Sequence, residues 1–92
     1  MAIYIIIYDL REATSEDYQA VYDAIRDIDD DPHEHIEESV YLVASDLSAV
    51  EIRDALKPHL TAGSKLFVGA FGGEGAWSGD RRLKNWLKTA RS

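Results

Sequence analysis

The sequence contains no cysteine among its 92 residues, which excludes disulfide bonds and thiolate metal ligands. This absence is compatible with a reducing cytosol but does not require one. The longest apolar run, Ile3–Tyr8, is far too short to cross a bilayer. The N-terminus also lacks the basic region and long apolar stretch of a secretory signal. We therefore expect a cytoplasmic protein that does not bind membranes.

Basic residues are scarce in most of the chain. Residues 1–79 hold 16 acidic and 5 basic residues, whereas residues 80–92 hold 1 acidic and 5 basic residues, for a net charge of −7. An acidic body repels phosphate backbones and a basic end attracts them, so nucleic acid is a candidate partner only through the C-terminal end. The alternative is ordinary surface charge on a helix whose C-terminal end favours cations.

Extended and helical patterns alternate along the chain. Clusters of β-branched and aromatic residues predict strands over 3–8, 36–45 and 66–71, the second interrupted by a turn or bulge at 37–39. Apolar residues at helical spacing predict a first helix over 15–28 and a second one that Pro58 tightens or ends. Thr14 with Asp17, and Ser48 with Glu51, have the spacing of helix-capping pairs.

The resulting order is β-α-β-β-α-β followed by a tail helix. Two right-handed crossovers would place both helices on one face of an antiparallel sheet. We therefore predict an α+β fold, a ferredoxin-like sandwich with a four-stranded antiparallel sheet. Residues 1–71 form the ferredoxin-like domain, and residues 72–92 add a glycine-rich loop and an amphipathic C-terminal helix to that same domain. This helix is expected to dock through Leu83, Trp86 and Leu87.

Alternation within the strands separates two apolar faces. The aliphatic face, which includes Ile3, Ile5 and Ile7, suits packing beneath the helices together with Val40, Leu42, Ala44, Leu66, Val68 and Ala70. The opposite face is rich in aromatic residues and is predicted to be free of helices. Large exposed apolar patches usually mark binding surfaces. We therefore predict a homodimer whose interface contains the aromatic residues Tyr4, Tyr8, Tyr41, Phe67 and Phe71.

Several segments resemble a known family. The first strand ending in Tyr8-Asp9-Leu10, segments 39–43, 48–56 and 65–68, and the tryptophan-bearing tail resemble small bacterial proteins known as SinR-like. Those proteins are similar to the CRISPR-associated Cas-two family and to virulence-associated protein D. The resemblance covers most of residues 1–71 and implies a ferredoxin-like homodimer.

The resemblance also implies a role for Asp9. In the Cas-two family an aspartate at the end of the first strand lies near the dimer axis and is proposed to hold a divalent metal for phosphodiester cleavage. Asp9 occupies that position, which implies a catalytic and metal-binding residue of an endoribonuclease with Mg²⁺ or Mn²⁺ as cofactor. Two carboxylates meeting at a two-fold axis suit an octahedral magnesium ion that activates water. The alternative is that Asp9 only ends the strand and bonds loop amides.

Other patterns leave further alternatives open. A non-catalytic dimerisation module explains the aromatic face without any chemistry, and an RNA-recognition-motif-like binder would use the same aromatic residues to stack bases. The imidazoles of His33 and His35 would lie on one side of a strand, but two ligands do not make a zinc site. Trp77 and Trp86 either stack on bases or anchor the tail.

Overall fold

The computed structural model describes residues 1–37, 40–72, 83 and 85–87, apart from the side chains of residues 33–37. The glycine-rich loop beyond Gly72, Trp77 and the imidazoles of His33 and His35 therefore lie outside the described residues. The elements, in chain order, are β1 (Ala2–Asp9), α1 (Ser15–Ile28), β2 (His33–Glu37), β3 (Val40–Ser45), α2 (Ala49–Leu56), a 3₁₀ turn (Lys57–His59) and β4 (Lys65–Ala70).

The strands form an antiparallel sheet in the order β2-β3-β1-β4. The most apolar strand, β1, is central and pairs continuously with β3 on one side and β4 on the other. At the edge, β2 pairs with β3 less regularly, with His33 opposite Leu42, Glu37 opposite Val40 and a register shift between them. The protein is thus a small α+β fold built on an antiparallel sheet, as predicted.

Helix α1 begins and ends at the predicted residues. The Thr14 amide donates to the Asp17 carboxylate at 2.8 Å, while the Asp17 amide donates to the Thr14 hydroxyl at 3.3 Å, which completes a capping box. At the other end, the Asp29 carboxylate accepts from the backbone amides of Asp31 at 3.0 Å and Ala44 at 2.8 Å. Asp29 therefore ties the end of α1 to the central part of the sheet.

Helix α2 is shorter than α1 and shows the second predicted capping box. The Ser48 amide donates to the Glu51 carboxylate at 3.0 Å, and the Glu51 amide donates to the Ser48 hydroxyl at 3.2 Å. The α-helix stops at Leu56, and Pro58 lies in the 3₁₀ turn that follows. Proline lacks the amide proton that a longer helix would need, so the predicted tightening at Pro58 is confirmed.

The prediction of which sheet face the helices cover is wrong for β1 and β3 and right for β4. Tyr4, Tyr8 and Tyr41 are buried beneath α1 and α2, so they do not lie on a helix-free face. In β4, Leu66 and Val68 lie opposite Tyr8 and Ile6 and therefore share the helix-covered face. The main core contains the buried residues Tyr4, Ile6, Tyr8, Leu10, Val21, Ala24, Ile25, Tyr41, Val43, Ile52 and Leu56.

Tyrosine rings account for this inversion. The rings of Tyr8 and Tyr41 stack at 6.1 Å between centroids, and helix α1 adds Tyr18 beside Tyr8 and Tyr22 beside Tyr41. Such ring pairs contribute energy beyond the area they bury. Among the described residues, no buried side-chain polar atom lacks a hydrogen-bond partner. Tyrosine therefore packs in this core, although the aromatic face was predicted to be free of helices.

Part of the C-terminal segment also packs against the body. Residues 83 and 85–87 are helical, Leu83 is buried, and Trp86 and Leu87 are half-buried. The Trp86 indole N–H donates to the backbone carbonyl of Asp31 at 2.7 Å. Within the described ranges, no helix has both the length and the apolar character needed to cross a membrane.

Candidate functional site

One face of the sheet is covered by neither α1 nor α2, and we call it the open face. Cross-strand partners in an antiparallel sheet project on the same side, so the pairing register identifies its members. Ile7 lies opposite both Val40 in β3 and Phe67 in β4. In β1, β3 and β4, whose side chains the structure describes, the residues of the open face are Ile3, Ile5, Ile7, Asp9, Val40, Leu42, Ala44, Lys65, Phe67 and Gly69.

The centre of the open face is an exposed apolar pair. Ile7 keeps 43% of its surface exposed and Phe67 keeps 59%, and the two residues lie directly opposite each other on β1 and β4. An antiparallel sheet can leave one face in water, but that face is then usually polar. Around this pair, Ile5, Val40 and Phe71 are half-buried. The open face is thus more apolar than a solvent-facing sheet surface requires.

The Phe67 ring leans along β4 toward Gly69. A Cβ atom placed on Gly69 would stand only 2.7 Å from the Cε2 and Cζ atoms of the Phe67 ring. The ring therefore occupies the space that a side chain at position 69 would need. Glycine at this position therefore leaves room for the Phe67 ring beside the backbone of β4.

Another part of the open face is already buried. Ile3 is 5% exposed and Leu42 is 4% exposed, although neither helix of the main core lies on this side. Leu83, in the C-terminal helical segment, is buried to the same degree. The exposed surface is therefore concentrated toward β4 and the end of β1, where Ile7, Asp9 and Phe67 lie.

Asp9, the predicted catalytic and metal-binding residue, lies at the end of β1 on the open face. Its carboxylate is exposed, and it makes no hydrogen bond or ion pair with any other described residue. The β1 strand pairs regularly through this position, with Lys65 directly opposite Asp9. Lys65 was missed by sequence reasoning, because only the register of β1 with β4 brings the two charges together.

The loop that follows β1 is held by other residues. The Thr61 hydroxyl donates to the Arg11 carbonyl at 2.6 Å, the Arg11 amide donates to the Ser64 hydroxyl at 3.0 Å, and the two hydroxyls lie 2.7 Å apart. These bonds tie the β1–α1 loop to the turn before β4. In the described part of the chain, Asp9 therefore does not perform the alternative role of bonding the loop amides.

A metal site cannot be assembled from one copy of the described residues. No group of three histidine, cysteine or acidic side chains is arranged to hold an ion in that part of the chain. Asp9 is the one acid among the open-face strand residues with described side chains, so a metal bound there would need further ligands, for example from a second copy or from a substrate. The predicted Mg²⁺ or Mn²⁺ site would therefore also need ligands besides Asp9.

A separate cleft lies at the opposite end of β1. Its volume is about 540 Å³, and Trp86 and Ile28 form part of its wall. Asp29, one of its acids, already accepts two backbone hydrogen bonds, which marks a structural role. The cleft is also lined by Met1, Arg26, Asp27, Asp30, Asp31, Ala44, Ser45 and Asp46.

The predicted interface residues thus separate into two groups. Tyr4, Tyr8 and Tyr41 belong to the core and cannot contact a partner without unpacking the helices. Phe67 and, by continued alternation, Phe71 lie on the open face. Ile7 was predicted to lie on the helix-covered face but lies on the open face. Its place on the open face follows from its position opposite Phe67 in the β1–β4 register.

Comparisons with protein-family models, with curated proteins and with solved structures give no match for this chain. The functional interpretation therefore depends on the geometry of the open face and on the residues themselves.

Proposed function

We propose that this protein is a self-associating interaction module whose open face binds a second copy of the chain. The observation that carries the proposal is the exposed pair of Ile7 and Phe67 at the centre of an apolar sheet face. Contiguous exposed apolar surface of this kind usually marks a site of protein association. A short chain also gains stability when it buries a sheet face against a partner.

The expected affinity is modest. Burying an exposed isoleucine or phenylalanine completely contributes ~1.5–3 kcal/mol. Ile7 and Phe67 are already partly covered, so a symmetric interface gains about 1 kcal/mol from each, or about 4 kcal/mol from two copies. A micromolar complex needs about 8 kcal/mol. Half-buried neighbours such as Ile5, Val40 and Phe71 must therefore contribute, and we expect a dissociation constant of micromolar order or weaker.

A second copy suits the open face because the face carries both signs of charge. Each chain has a net charge of −7, so two copies repel at long range. Asp9 and Lys65 place one negative and one positive group beside the apolar pair. A two-fold interface uses the same patch on both copies, and a patch with both signs can be self-complementary.

Sedimentation of single-serine variants tests the proposal. Wild-type protein should shift from the mass of one chain toward twice that mass as its concentration rises from about 1 to several hundred micromolar. Ile7→Ser and Phe67→Ser should weaken this shift. The matched control is Val50→Ser, because Val50 is 56% exposed on α2 and lies outside the open face. A wild-type protein that stays monomeric over the whole range would contradict self-association.

The architecture and family are part of the same proposal. The element order and the strand order β2-β3-β1-β4 support a ferredoxin-like sandwich. The SinR-like and Cas-two-like resemblance supports both this architecture and a homodimer. A cytoplasmic location remains a prediction from the sequence.

A second candidate function is metal-dependent cleavage of RNA through Asp9. The observation that favours it is an exposed carboxylate at the end of β1, without a hydrogen bond to another described residue. If two copies bring their Asp9 carboxylates together, Mg²⁺ or Mn²⁺ would relieve the repulsion between them and would supply an activated water. Nucleic acid would then be the substrate, and the dimer would be the active form.

The Asp9→Asn variant separates the two candidates. If Asp9 binds a metal, millimolar Mg²⁺ or Mn²⁺ should raise the melting temperature of the wild type but not that of Asp9→Asn. Cleavage of single-stranded RNA should disappear in the variant. In a non-catalytic module, the ions change neither melting temperature, neither protein cleaves RNA, and the variant differs in stability by about 1 kcal/mol or less.

A further inference from the structure

Asp9 in β1 and Lys65 in β4 are the one acid and the one base among the open-face strand residues whose side chains the structure describes. They are direct neighbours across the β1–β4 pairing, and both side chains are exposed. Neither one forms an ion pair with another described residue, although their backbones are adjacent. The two charges therefore stand at one end of the apolar surface, each with its charged group open to a partner.

The symmetry of a two-copy complex decides what each charge meets. Two sheets that pack through the same face are related by an axis lying between them. An axis that runs parallel to the strands and between β1 and β4 exchanges the positions of these two strands. It places Ile7 over Phe67 of the second copy, and it places Asp9 over Lys65 of the second copy. Both apolar and charged positions then meet complementary groups.

A different axis would produce a different contact. An axis that passes through the end of β1 brings the two Asp9 carboxylates together and leaves each Lys65 away from the Asp9 of the second copy. That arrangement requires a metal ion to offset the repulsion of like charges. The two arrangements cannot coexist in one symmetric complex, so they can be distinguished by experiment.

We propose that Asp9 and Lys65 form a reciprocal charge pair between two copies and set the alignment of the self-association described above. This inference rests on the proposed function, because it requires that the open face bind a second copy. Asp9 is then the counter-ion of a lysine and needs no metal. Charge pairs of this kind contribute alignment and partner choice more than affinity.

Charge exchange between two variants tests the pairing. Asp9→Lys leaves two lysines at this end of the face and Lys65→Asp leaves two aspartates, so each variant alone should associate on the order of tenfold more weakly than wild type. An equimolar mixture of the two variants restores both opposite-charge contacts. Sedimentation or light scattering of that mixture should therefore recover a complex of two chains.

Matched controls remove the effect of net charge. Asp30→Lys changes the net charge as Asp9→Lys does, and Lys57→Asp changes it as Lys65→Asp does. Both control residues are exposed and lie outside the open face. Far-ultraviolet circular dichroism and melting curves establish that every variant is folded. The control variants, separately and mixed, should associate as their net charges dictate, with no specific recovery on mixing.

The outcomes separate this inference from the proposed function. A monomeric wild type overturns both the self-association and the pairing. If wild type associates but the open-face variants behave like their controls, the pairing is wrong and the self-association stands. If the neutral variant Asp9→Asn instead strengthens metal-free association, and does so more than Asp30→Asn, the two Asp9 carboxylates face each other and the pairing with Lys65 is excluded.

Discussion

The aromatic ring of Phe67 occupies the space above Gly69 on the open face, with two ring atoms 2.7 Å from the position of a Cβ on residue 69. Phe67 and Gly69 are two residues apart on an edge strand, so they project on the same side of the sheet. Glycine weakens a strand because it has no side chain to pack. The ring of Phe67 supplies that missing cover.

Gly69→Ala should therefore depend on residue 67. In wild type the new methyl group displaces the Phe67 ring, and we expect a cost of about 0.5–1.5 kcal/mol from the altered rotamer. In a Phe67→Ala background the same change should be neutral or stabilising. Urea denaturation of the four proteins of this double-mutant cycle measures the coupling. Gly72→Ala serves as the control, since a Cβ there meets nothing within 4 Å. Equal effects of Gly69→Ala in both backgrounds would contradict the contact.

Truncating the core residue Tyr41 should mainly lower stability, whereas truncating the exposed residue Phe67 should mainly weaken association. Tyr41 is 8% exposed and belongs to the core, so Tyr41→Ala should lower the free energy of unfolding by about 3 kcal/mol or more. Phe67 is largely exposed, so Phe67→Ala should cost about 1 kcal/mol or less in the single chain. Denaturation at low protein concentration measures stability, and sedimentation measures association. The reverse pattern would mean that the tyrosine face, not the open face, is available to partners.

The Thr61 hydroxyl should stabilise the junction between two loops. It donates to the Arg11 carbonyl at 2.6 Å and is half-buried, so Thr61→Val should lower the free energy of unfolding by about 1–2 kcal/mol. The comparison is Ser15→Ala, which removes an exposed hydroxyl in the first turn of α1. Chemical denaturation gives both values. A Thr61→Val effect no larger than that of Ser15→Ala would show that the junction does not depend on this bond.

Trp86 should hold the C-terminal segment against the body of the protein. Trp86→Phe keeps an aromatic ring but removes the indole N–H that donates to the Asp31 carbonyl at 2.7 Å, and we expect a loss of about 1 kcal/mol. Deletion of residues 78–92 also removes Leu83, which is buried, and should lower the melting temperature further. Thermal melts of the three proteins compare these losses. Unchanged melting after the deletion would mean that the segment contributes no stability.

Local signals in the sequence were sufficient for most of the elements, although β2 begins at His33 rather than at the predicted Ile36. The bounds of α1 follow from the Thr14–Asp17 capping box and from the acidic run that precedes Pro32, both of which act within a few residues. The 3₁₀ turn at Pro58 follows from proline's missing amide proton. These features depend on neighbouring residues, and neighbours in the chain are visible in the sequence.

The functional surface required information that a single strand does not contain. Both faces of β1 are apolar, because Ile3, Ile5 and Ile7 alternate with Tyr4, Ile6 and Tyr8. Alternation separated the two faces within each strand, but it did not show which face the helices cover, and it grouped Leu66 and Val68 with the wrong face of β1. The assumption that aliphatic residues fill cores and tyrosines face partners led to the inverted assignment. Stacking of Tyr8 on Tyr41 beneath α1 shows why it failed.

The sequence by itself determined where α1 and α2 begin, the strand-forming segments, and the presence of an aspartate at the end of the first strand, because capping, propensity and periodicity are local properties. Only the tertiary structure decided that Tyr8 lies in the core, that Ile7 and Phe67 are exposed together, and that Lys65 stands opposite Asp9. These relationships arise when β4 pairs with β1 and both helices pack on one face of the sheet. The register and the covered face are set by contacts between residues that are distant in the chain.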